Sequence, residues 1–376
     1  MASAPSPDVA IIGGGVIGCA IAYRLACEGA RVTVVERSRI AAESSGAAAG
    51  ILAPRVHATA PRLFDLALAS EVRFAPLVEQ LRADTGLDVE YIRSGALDLA
   101  LDDTGEELLR DKLRWLQEAG HGVRWIDREE TLGMEPRLSS ELRGAFLDPD
   151  GFQIHPARFT QALAQAAARR GVRFELGAEA IGLVGSRPRG EGIRTATGEI
   201  RAGHVVLAAG AWTSFCGDWL GFPIPVFPAR GQILAVSAVP APIRSIVYGA
   251  GIYLLPRVDG SVVVGATAER VGFDKSLTAS AMAWLLGSIP SVCPALANAS
   301  FDRAWAGLRP GSPDELPMIG LVPGWQDVTI AAGHYRNGIM LAPLTADMAS
   351  ALVLRGEADP QLDLVRPDRF GASGSR

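Results

Sequence analysis

Three glycines near the amino terminus, Gly13, Gly15 and Gly18, have the spacing G-x-G-x-x-G. They lie between an apolar run that predicts a strand and one that predicts a helix. Glycines at these places permit a tight turn, approach of the backbone to a pyrophosphate and close packing of helix on strand. The unpaired amides of the helix N-terminus favour phosphate. Glu36 ends the next predicted strand, where a carboxylate can accept hydrogen bonds from ribose hydroxyls, so the combination predicts a dinucleotide site.

A second run of small residues, ESSGAAAGILAP at 43–54, favours flavin over nicotinamide. Ser44 and Ser45 can bond a diphosphate or a ribityl chain, and the Ala-Gly run lets the backbone lie along an isoalloxazine ring. A nicotinamide dehydrogenase needs no second cradle directly after the ribose-binding acid. The segment HVVLAAGAWT at 204–213 is typical of a strand that returns to the nucleotide sheet. We therefore expect FAD, with NAD as the alternative.

The order of these elements predicts an α/β fold with two kinds of sheet. Strands at 9–12 and 32–35, a helix at 17–26, and a helix and strand within 155–183 are typical of a parallel nucleotide sheet. Segments 89–101 and 222–268 alternate like antiparallel strands, with helices at 104–119 and 128–133. We predict a Rossmann-like FAD-binding domain of the glutathione-reductase-2 type and a discontinuous antiparallel-sheet substrate domain. The predicted bounds are 1–85, 145–218 and 305–365 for the first, 86–144 and 219–304 for the second, and 366–376 for a disordered tail.

The composition indicates a soluble protein that does not bind nucleic acid. The 376 residues carry a formal net charge of −5, which argues against a nucleic-acid or polybasic membrane surface. No apolar run reaches the roughly 18 residues of a membrane span, and MASAPSPD lacks the regions of a signal peptide. Cys19 and Cys27 are predicted as core residues of an apolar helix. Cysteine and histidine spacings predict no metal site, and we expect a cytoplasmic location.

Along nearly its whole length the chain resembles the FAD-dependent D-amino-acid oxidase family. The motifs that carry the resemblance occur in the family's order: SSGAAAGILAP, VVLAAGAWT, PARGQIL, YLLPR, VVVGAT, RAWAGLRPGSPDELPMIG and AAGHYRNGIMLAP. WAGLRP and GHYRNGI, with their spacing, are the most specific. Within the family, the glycine oxidases, which supply an imine for the thiazole ring of thiamine, are the most similar group.

The resemblance implies a substrate carboxylate held by Arg309 of GLRPG, with Tyr253 of YLLPR and Arg336 of HYRNG nearby. A guanidinium offers a planar fork that matches a carboxylate, and a phenol can bond the same group. The alternatives are a surface ion pair for Arg309, core packing for Tyr253, and a flavin or backbone contact for Arg336. Ala268 follows GAT, where relatives often have a bulkier apolar residue, and we expect it to line the substrate pocket.

The segment AAGHYRNGIM at 331–340 precedes a predicted helix at 339–354, with Pro343 in its first turn and Gly356 as its stop. We expect this helix N-terminus to point at the flavin pyrimidine edge, where negative charge develops on reduction. Its backbone would then cradle the flavin while Arg336 faces the substrate. The other residues expected to contact FAD are Val16, Ile17, Arg37, Ala49, Gly50, Ile51, Ala180, Gly210, His334, Tyr335, Asn337, Gly338 and Ile339.

The family activity implied is oxidation of glycine or another small amino acid, such as sarcosine or D-alanine. The α-carbon hydride passes to FAD, the imine hydrolyses to a 2-oxo acid and ammonia, and molecular oxygen takes the electrons to give hydrogen peroxide. Some relatives tether flavin through histidine or cysteine. The small-residue run here has alanines at 47–49, and RPGSPDELP lacks cysteine, so we expect non-covalent FAD.

Two other functions use the same flavin site. One is a dehydrogenase that passes electrons to a quinone or a partner protein. The other is a non-catalytic flavin-binding subunit of a larger complex, against which the set Tyr253, Arg309 and Arg336 argues. We expect a homo-oligomer whose other partners are only its small-molecule substrates.

Overall fold

Twenty strands and ten α-helices make up the part of the chain that this computed structural model describes, residues 6–57, 61–238, 240–357 and 359–371. The strands are β1 Val9–Ile12, β2 Val32–Glu36, β3 Ile51–Leu52, β4 Ile92–Arg93, β5 Ala96–Ala100, β6 Arg124–Asp127, β7 Gly144–Asp148, β8 Phe152–Gln153, β9 Arg173–Leu176, β10 Ala180–Ser186, β11 Arg189–Thr195, β12 Gly198–Arg201, β13 His204–Leu207, β14 Phe227–Ser237, β15 Ile246–Gly249, β16 Ile252–Pro256, β17 Ser261–Gly265, β18 Ser300–Gly311, β19 Met318–Leu321 and β20 Val328–Ala332. The helices are α1 Val16–Cys27, α2 Ser44–Ala47, α3 Pro61–Glu71, α4 Phe74–Thr85, α5 Asp103–Glu118, α6 Arg128–Met134, α7 Pro156–Arg169, α8 Gly217–Leu220, α9 Ala279–Val292 and α10 Gly338–Arg355.

The sheet that contains β1, called here the nucleotide sheet, has the strand order β19-β20-β13-β1-β2-β9. Its strands are parallel except β19, which runs antiparallel to β20. β1 is buried along its whole length, as expected for a parallel strand covered on both faces. Val9 and Ile11 face a core with α1, α7 and α10, whereas Ala10 and Ile12 face one with β10 and β11.

A second, mostly antiparallel sheet, called here the large sheet, has the order β18-β14-β17-β16-β15-β5-β7-β6. Only β15 and β5 pair in parallel. β14 and β18 pair along nearly their full lengths, which places Ala229 opposite Arg309. One face of this sheet packs on α9, and the other packs on α5 and the segment after β3. Two small sheets, β10-β11-β12 and β3-β8-β4, complete the fold.

Most predicted elements are confirmed. The nucleotide sheet contains the predicted strands at 9–12 and 32–35, the returning strand at 204–207 and β9. The predicted helices α1 and α7 pack against it. The two helices predicted after residue 101 are α5 and α6. β7 and β18 both lie in the large sheet, although the predicted boundaries assign residues 145–148 and 305–311 to the FAD-binding domain. Strand pairing, which is not local in the sequence, decides their sheet, and the two-domain division stays a prediction.

Three local expectations are wrong. Pro367–Phe370 forms a 3₁₀ segment rather than a disordered tail, and Arg369 Nε donates to Asp314 Oδ2 at 2.8 Å; the tail residues 372–376 lie outside the described ones. Pro343 is the sixth residue of α10, beyond its first turn, because the helix begins at Gly338. Cys27, unlike Cys19, is exposed, because it is the last residue of α1.

Among the described helices, α10 alone is long and apolar enough to cross a membrane by length and composition. Eleven of its eighteen residues are buried, in a core that it shares with α1 and α3. A helix that is buried on most sides in a protein core is apolar for the same reason as a membrane span. The composition of α10 is therefore accounted for by its place in the fold.

Candidate active site

A cavity of about 1190 Å³ runs from the carboxyl end of β1 to the inner face of the large sheet. Its volume is slightly above the range, about 300–1,000 Å³, that is usual for small-molecule sites. It is therefore large enough for a dinucleotide cofactor together with a small substrate. The residues that line its two ends differ in chemistry, and each end therefore suits a different kind of ligand.

The glycine turn forms the first end of the cavity. Gly13 has φ +114°, and a Cβ there would lie under 3.0 Å from the carbonyl of Ala208. A Cβ on Gly18 would likewise meet the carbonyl of Gly13, so Gly18 packs α1 on β1 rather than lining the cavity. At Gly15 a Cβ would approach only Ser45 Oγ, at 3.2 Å, so the open side of this residue faces the cavity. That open cradle, at the start of α1, fits a pyrophosphate.

The carboxylate of Glu36 lies beside this turn and lines the cavity. Its Oε2 accepts from Gly14 N at 2.7 Å and its Oε1 accepts from Ser38 N at 2.8 Å. Each oxygen keeps a lone pair for a ribose hydroxyl. The two backbone bonds hold the carboxylate in place, so the ribose role predicted from the sequence fits this geometry.

Arg37 and Trp212 form the rim of the same end. The Arg37 guanidinium lies 3.8 Å from the centroid of the Trp212 ring, and its Nη2 is 3.1 Å from Glu43. Glu43 is also 3.0 Å from Lys275 Nζ, which belongs to the segment between β17 and α9. This chain of charges connects the nucleotide end of the cavity to the large sheet.

Residues 44–51 cross the middle of the cavity and are bonded to the large sheet. Trp305 Nε1 donates to the carbonyl of Ala47 at 3.1 Å, Arg257 donates to the carbonyl of Ala49, and Ser44 Oγ donates to that of Leu308. Backbone and small side chains therefore face the cavity here. Such a surface fits the flat ring predicted for this place, because nothing projects from it.

The N-terminus of α10 faces the same middle section, where Asn337, Gly338 and Ile339 line the cavity. The first amides of a helix lack helical partners and carry a partial positive charge. Tyr335 has φ +47°, and its N–H donates to Pro310 at 2.7 Å, which fixes the turn into the helix. This orientation is consistent with the predicted role of the helix N-terminus, which is to stabilise the negative charge that develops on the flavin when it is reduced.

Arg309 lies at the second end of the cavity. Its Nη1 donates to the carbonyl of Thr267 at 2.9 Å, and no carboxylate of the described residues lies within 4.0 Å of its guanidinium. Burial lowers the pKa of Arg309, nearby Tyr253 opposes that shift, and Arg336 adds to it. A guanidinium nevertheless stays protonated in proteins. A partly buried cation that faces a cavity without a counter-charge fits an anionic ligand.

Tyr253 and Arg336 line the cavity with Arg309. Burial raises the pKa of Tyr253 to about 12, against the opposing effect of Arg309, so the phenol keeps its proton at neutral pH and can donate it to a carboxylate. Arg336 is solvent-accessible and its guanidinium lies 5.1 Å from the centroid of the Tyr335 ring. The structure therefore brings together the three residues that the resemblance assigned to a carboxylate.

Two glycines give these side chains their space. A Cβ on Gly231 would lie under 3.0 Å from three atoms of the Arg309 guanidinium, and one on Gly265 would lie equally close to the Tyr253 ring. Gly231 and Gly265 are on β14 and β17, the neighbours of β18 and β16. Neither was predicted as a functional residue, although both lie in the motifs PARGQIL and VVVGAT.

Ala268 does not line the cavity. It is exposed, whereas Ala266 and Thr267 before it are lining residues. Thr267 Oγ1 accepts from Gln232 N at 2.9 Å and donates to Glu269 at 2.8 Å, which ties this segment to β14 and turns Ala268 outward. The expectation for Ala268 is therefore corrected.

Apart from Gly18 and Ala268, every predicted site residue lines the cavity. These are Gly13, Gly15, Val16, Ile17, Glu36, Arg37, Ser44, Ser45, Ala49, Gly50, Ile51, Ala180, Gly210, Tyr253, Arg309, His334, Tyr335, Arg336, Asn337, Gly338 and Ile339. Sequence reasoning missed Trp212, whose only signal was its place in VVLAAGAWT. It also missed Arg257 and Trp305, which lie in the quoted motifs YLLPR and RAWAGLRP but act on a loop far away in the chain.

Comparisons with known proteins agree with this geometry. Residues 8–352 match the family DAO, described as FAD dependent oxidoreductase. The chain is 35% identical over 354 residues to a glycine oxidase of Geobacillus kaustophilus, covering 93% of each chain. It is 35% identical to the bifunctional protein ThiO/ThiG of Synechocystis over 96% of this chain, but spans only 54% of that longer protein. The crystal structure of the Geobacillus kaustophilus glycine oxidase superposes with a TM-score of 0.92 at 33% identity, covering 97% of this chain and 99% of that one.

The matched residues 8–352 include the glycine turn and the lining residues at both ends of the cavity. The fold, the cradle at the glycine turn and the relatives at this identity all indicate the same family. The chain belongs to the DAO family of FAD-dependent oxidoreductases, and its cofactor is FAD.

Proposed function

We propose that this enzyme oxidises glycine and small amino acids, such as sarcosine and D-alanine, to an imine that hydrolyses to a 2-oxo acid and ammonia, or methylamine in the case of sarcosine, while oxygen is reduced to hydrogen peroxide. The observation that carries the proposal is the partly buried Arg309 guanidinium, which faces the cavity without a carboxylate partner among the described residues and lies beside the protonated Tyr253. The glycine oxidase relatives support the same substrate class.

The residues act by positioning. Arg309 binds the substrate carboxylate with its remaining N–H groups, since only Nη1 is engaged by Thr267. Tyr253 donates to the same carboxylate, and Arg336 adds positive charge at the mouth of the site. Bound FAD supplies the hydride acceptor and the site of reaction with oxygen. Fixing the carboxylate fixes the α-carbon, so orientation accounts for much of the rate and no side-chain base is required.

We also propose that FAD is bound without a covalent bond. Cys216 lines the cavity, but burial raises the pKa of its thiol to about 12, so it remains protonated and a poor nucleophile. His334 is buried, its Nε2 lies 3.0 Å from Thr345 Oγ1, and burial lowers its pKa to about 3. Both groups are held for packing and not for reaction with flavin.

The physiological part of the proposal is a cytoplasmic homo-oligomer that supplies the imine for thiamine thiazole synthesis, as the similarity to ThiO/ThiG proteins suggests. Size-exclusion chromatography with light scattering measures the oligomeric state. Growth of a thiamine-requiring strain that lacks its own glycine oxidase, with and without this gene, tests the pathway.

The decisive experiment mixes the purified yellow protein with glycine, sarcosine and D-alanine without oxygen, and then admits air. We expect the flavin absorbance to bleach with at least one of the three and to return rapidly in air with formation of peroxide. Bleaching without rapid return would identify a dehydrogenase that uses a quinone or a partner. No bleaching with any of them would refute the proposed substrate class.

A further inference from the structure

The cavity continues past the carboxylate-binding residues into a second section, called here the distal section. Its wall includes Asp98, Leu108 and Leu109, from β5 and α5. A substrate as small as glycine, held by Arg309, has no substituent that extends this far. The distal section therefore needs an explanation beyond the oxidation of glycine.

Strand register places Tyr248 between the two sections. On β15 it is directly opposite Tyr253 of β16 on one side and pairs with Asp98 of β5 on the other. Directly opposed residues project from the same face of a sheet. The ring centroids of Tyr248 and Tyr253 are 6.1 Å apart. The row Tyr253, Tyr248 and Asp98 thus leads from the carboxylate site to the distal section, with Tyr248 in its middle.

His57 holds Tyr248 from across the cavity. His57 Nε2 lies 2.7 Å from the Tyr248 hydroxyl, and the two rings meet edge to face with centroids 5.0 Å apart. His57 belongs to the turn after β3, so the contact joins this turn to the large sheet. Both rings line the cavity.

The protonation states of His57 and Tyr248 fix the direction of their hydrogen bond at neutral pH. Desolvation by the surrounding protein, with added repulsion from Lys112 and Arg336, lowers the pKa of His57 to about 4 although part of the side chain reaches solvent, so its ring is neutral at neutral pH. Burial raises the pKa of Tyr248 well above its usual value, so the phenol is protonated. A neutral imidazole nitrogen accepts a hydrogen bond from a phenol. The effect of Arg336 on both His57 and Tyr253 agrees with a position of the pair beside the substrate.

We propose that His57 and Tyr248 form a hydrogen-bonded barrier that excludes large substituents on the α-carbon or nitrogen of the substrate. The proposal rests on the amino-acid oxidation proposed above, and it assigns these two residues to substrate selection. Glycine, sarcosine and D-alanine fit on the near side of the barrier. A larger group has to displace one of two rings that hold each other, and removal of either ring widens the passage between the two sections.

The test compares His57→Ala and Tyr248→Phe with wild type, and uses His121→Ala as a matched control. His121 does not line the cavity; it packs edge to face against Phe64, which does, so its replacement removes a histidine ring from behind the wall and leaves the lining residues in place. The measured quantity is the ratio of kcat/KM for D-leucine to kcat/KM for glycine. We expect His57→Ala to raise this ratio by about tenfold or more, mainly through a lower KM for D-leucine. Tyr248→Phe keeps the ring but loses the hydrogen bond, and we expect a rise of about threefold; His121→Ala leaves the ratio unchanged.

A binding series tests the same barrier without turnover. Straight-chain carboxylates from acetate to hexanoate bind the carboxylate site, and their dissociation constants are read from the shift of the flavin spectrum. In wild type we expect the affinity to stop rising beyond propionate. In His57→Ala it should continue to rise with chain length, because the chain enters the distal section.

The outcomes separate the two proposals. In one outcome, glycine reduces the wild-type flavin while His57→Ala shows the same D-leucine to glycine ratio and the same carboxylate affinities as wild type. In that case the barrier is wrong and the proposed amino-acid oxidation stands. If no amino acid reduces the wild-type flavin, the oxidation is wrong, and the carboxylate series alone then upholds or overturns the barrier. Flavin absorbance and circular dichroism confirm folding, and Tyr248→Phe, which conserves ring volume, replaces His57→Ala if the latter fails to fold.

Discussion

Gly231→Ala removes no functional group, yet we expect it to disable the carboxylate site. The new Cβ would lie under 3.0 Å from Nη1, Cζ and Nη2 of Arg309, a separation that real Cβ atoms essentially never show. The φ of Gly231 is not in the left-handed region, so alanine is compatible with the backbone of β14. The strain therefore falls on the guanidinium, which has to move by roughly 1 Å to restore ordinary contact, and a misplacement of this size costs about 100-fold in rate.

The expected loss for glycine is about 10- to 100-fold in kcat/KM, or about 1.4 to 2.7 kcal/mol of transition-state stabilisation. Flavin content should stay near normal, because the pyrophosphate cradle is formed at the start of α1 and contains no residue of β14. The matched control is Gly182→Ala on β10, where the described structure leaves open space around the new Cβ. We expect that variant to keep wild-type efficiency.

A double-mutant cycle shows whether the effect passes through Arg309. In an Arg309→Ala background, Gly231→Ala has no guanidinium to displace, so its additional cost should vanish. If the cost of Gly231→Ala is the same in both backgrounds, it arises from a general distortion of the sheet. Wild-type efficiency of the single variant would refute the reasoning, since the guanidinium would then not occupy the space beside Gly231.

Four further predictions concern other parts of the molecule. Arg309→Ala should lower the efficiency ratio of D-alanine to ethylamine by at least about 30-fold, with Arg309→Lys in between, because the amine lacks the carboxylate; an unchanged ratio would assign the anchor to Arg336 and Tyr253. Acid precipitation should release yellow flavin into the supernatant, and Gly15→Val should purify largely without flavin, because its side chain would occupy the phosphate cradle; flavin in the pellet would contradict non-covalent binding. Burial lowers the pKa of His204 from 6.5 to about 4, so between these pH values the folded state binds fewer protons than the unfolded state. The free energy of unfolding therefore decreases by up to about 3 kcal/mol as the pH falls from 6.5 to 4, and His204→Gln should make urea unfolding less dependent on pH across that window. Ala268→Met should change kcat/KM for glycine and D-alanine equally, and a selective loss for D-alanine would return Ala268 to the site.

The nucleotide end of the site was predictable because its signals are local. Gly13, Gly15 and Gly18 lie within six residues, and this spacing alone identifies the turn, although a Cβ on Gly13 or Gly15 would meet the more distant Ala208 or Ser45. Glu36 follows at the end of the adjacent strand. Short-range spacing of this kind survives folding unchanged, so sequence reasoning reached the correct geometry.

The space around Arg309 was not predictable in the same way. Gly231 precedes Arg309 by 78 positions in the numbering, and only the pairing of β14 with β18 brings them together. The register of Tyr248 with both Tyr253 and Asp98 is equally non-local. Ala268 was misjudged for the converse reason, since nearness in sequence to GAT did not show which side of the segment faces the cavity.

The bonds from Trp305 and Arg257 to the carbonyls of Ala47 and Ala49 have a consequence for how such enzymes can be recombined. Residues 44–51 are held by one side chain of β18 and one from the turn after β16, so neither part alone carries this complete wall of the cavity. A graft of the large sheet from a relative would preserve the cradle only if the incoming strands supplied an indole and a guanidinium at the same two positions. Exchange of substrate preference between family members therefore requires replacing residues within the sheet and keeping these two donors, and a transplanted sheet that lacks them would lose cofactor before its new specificity could be measured.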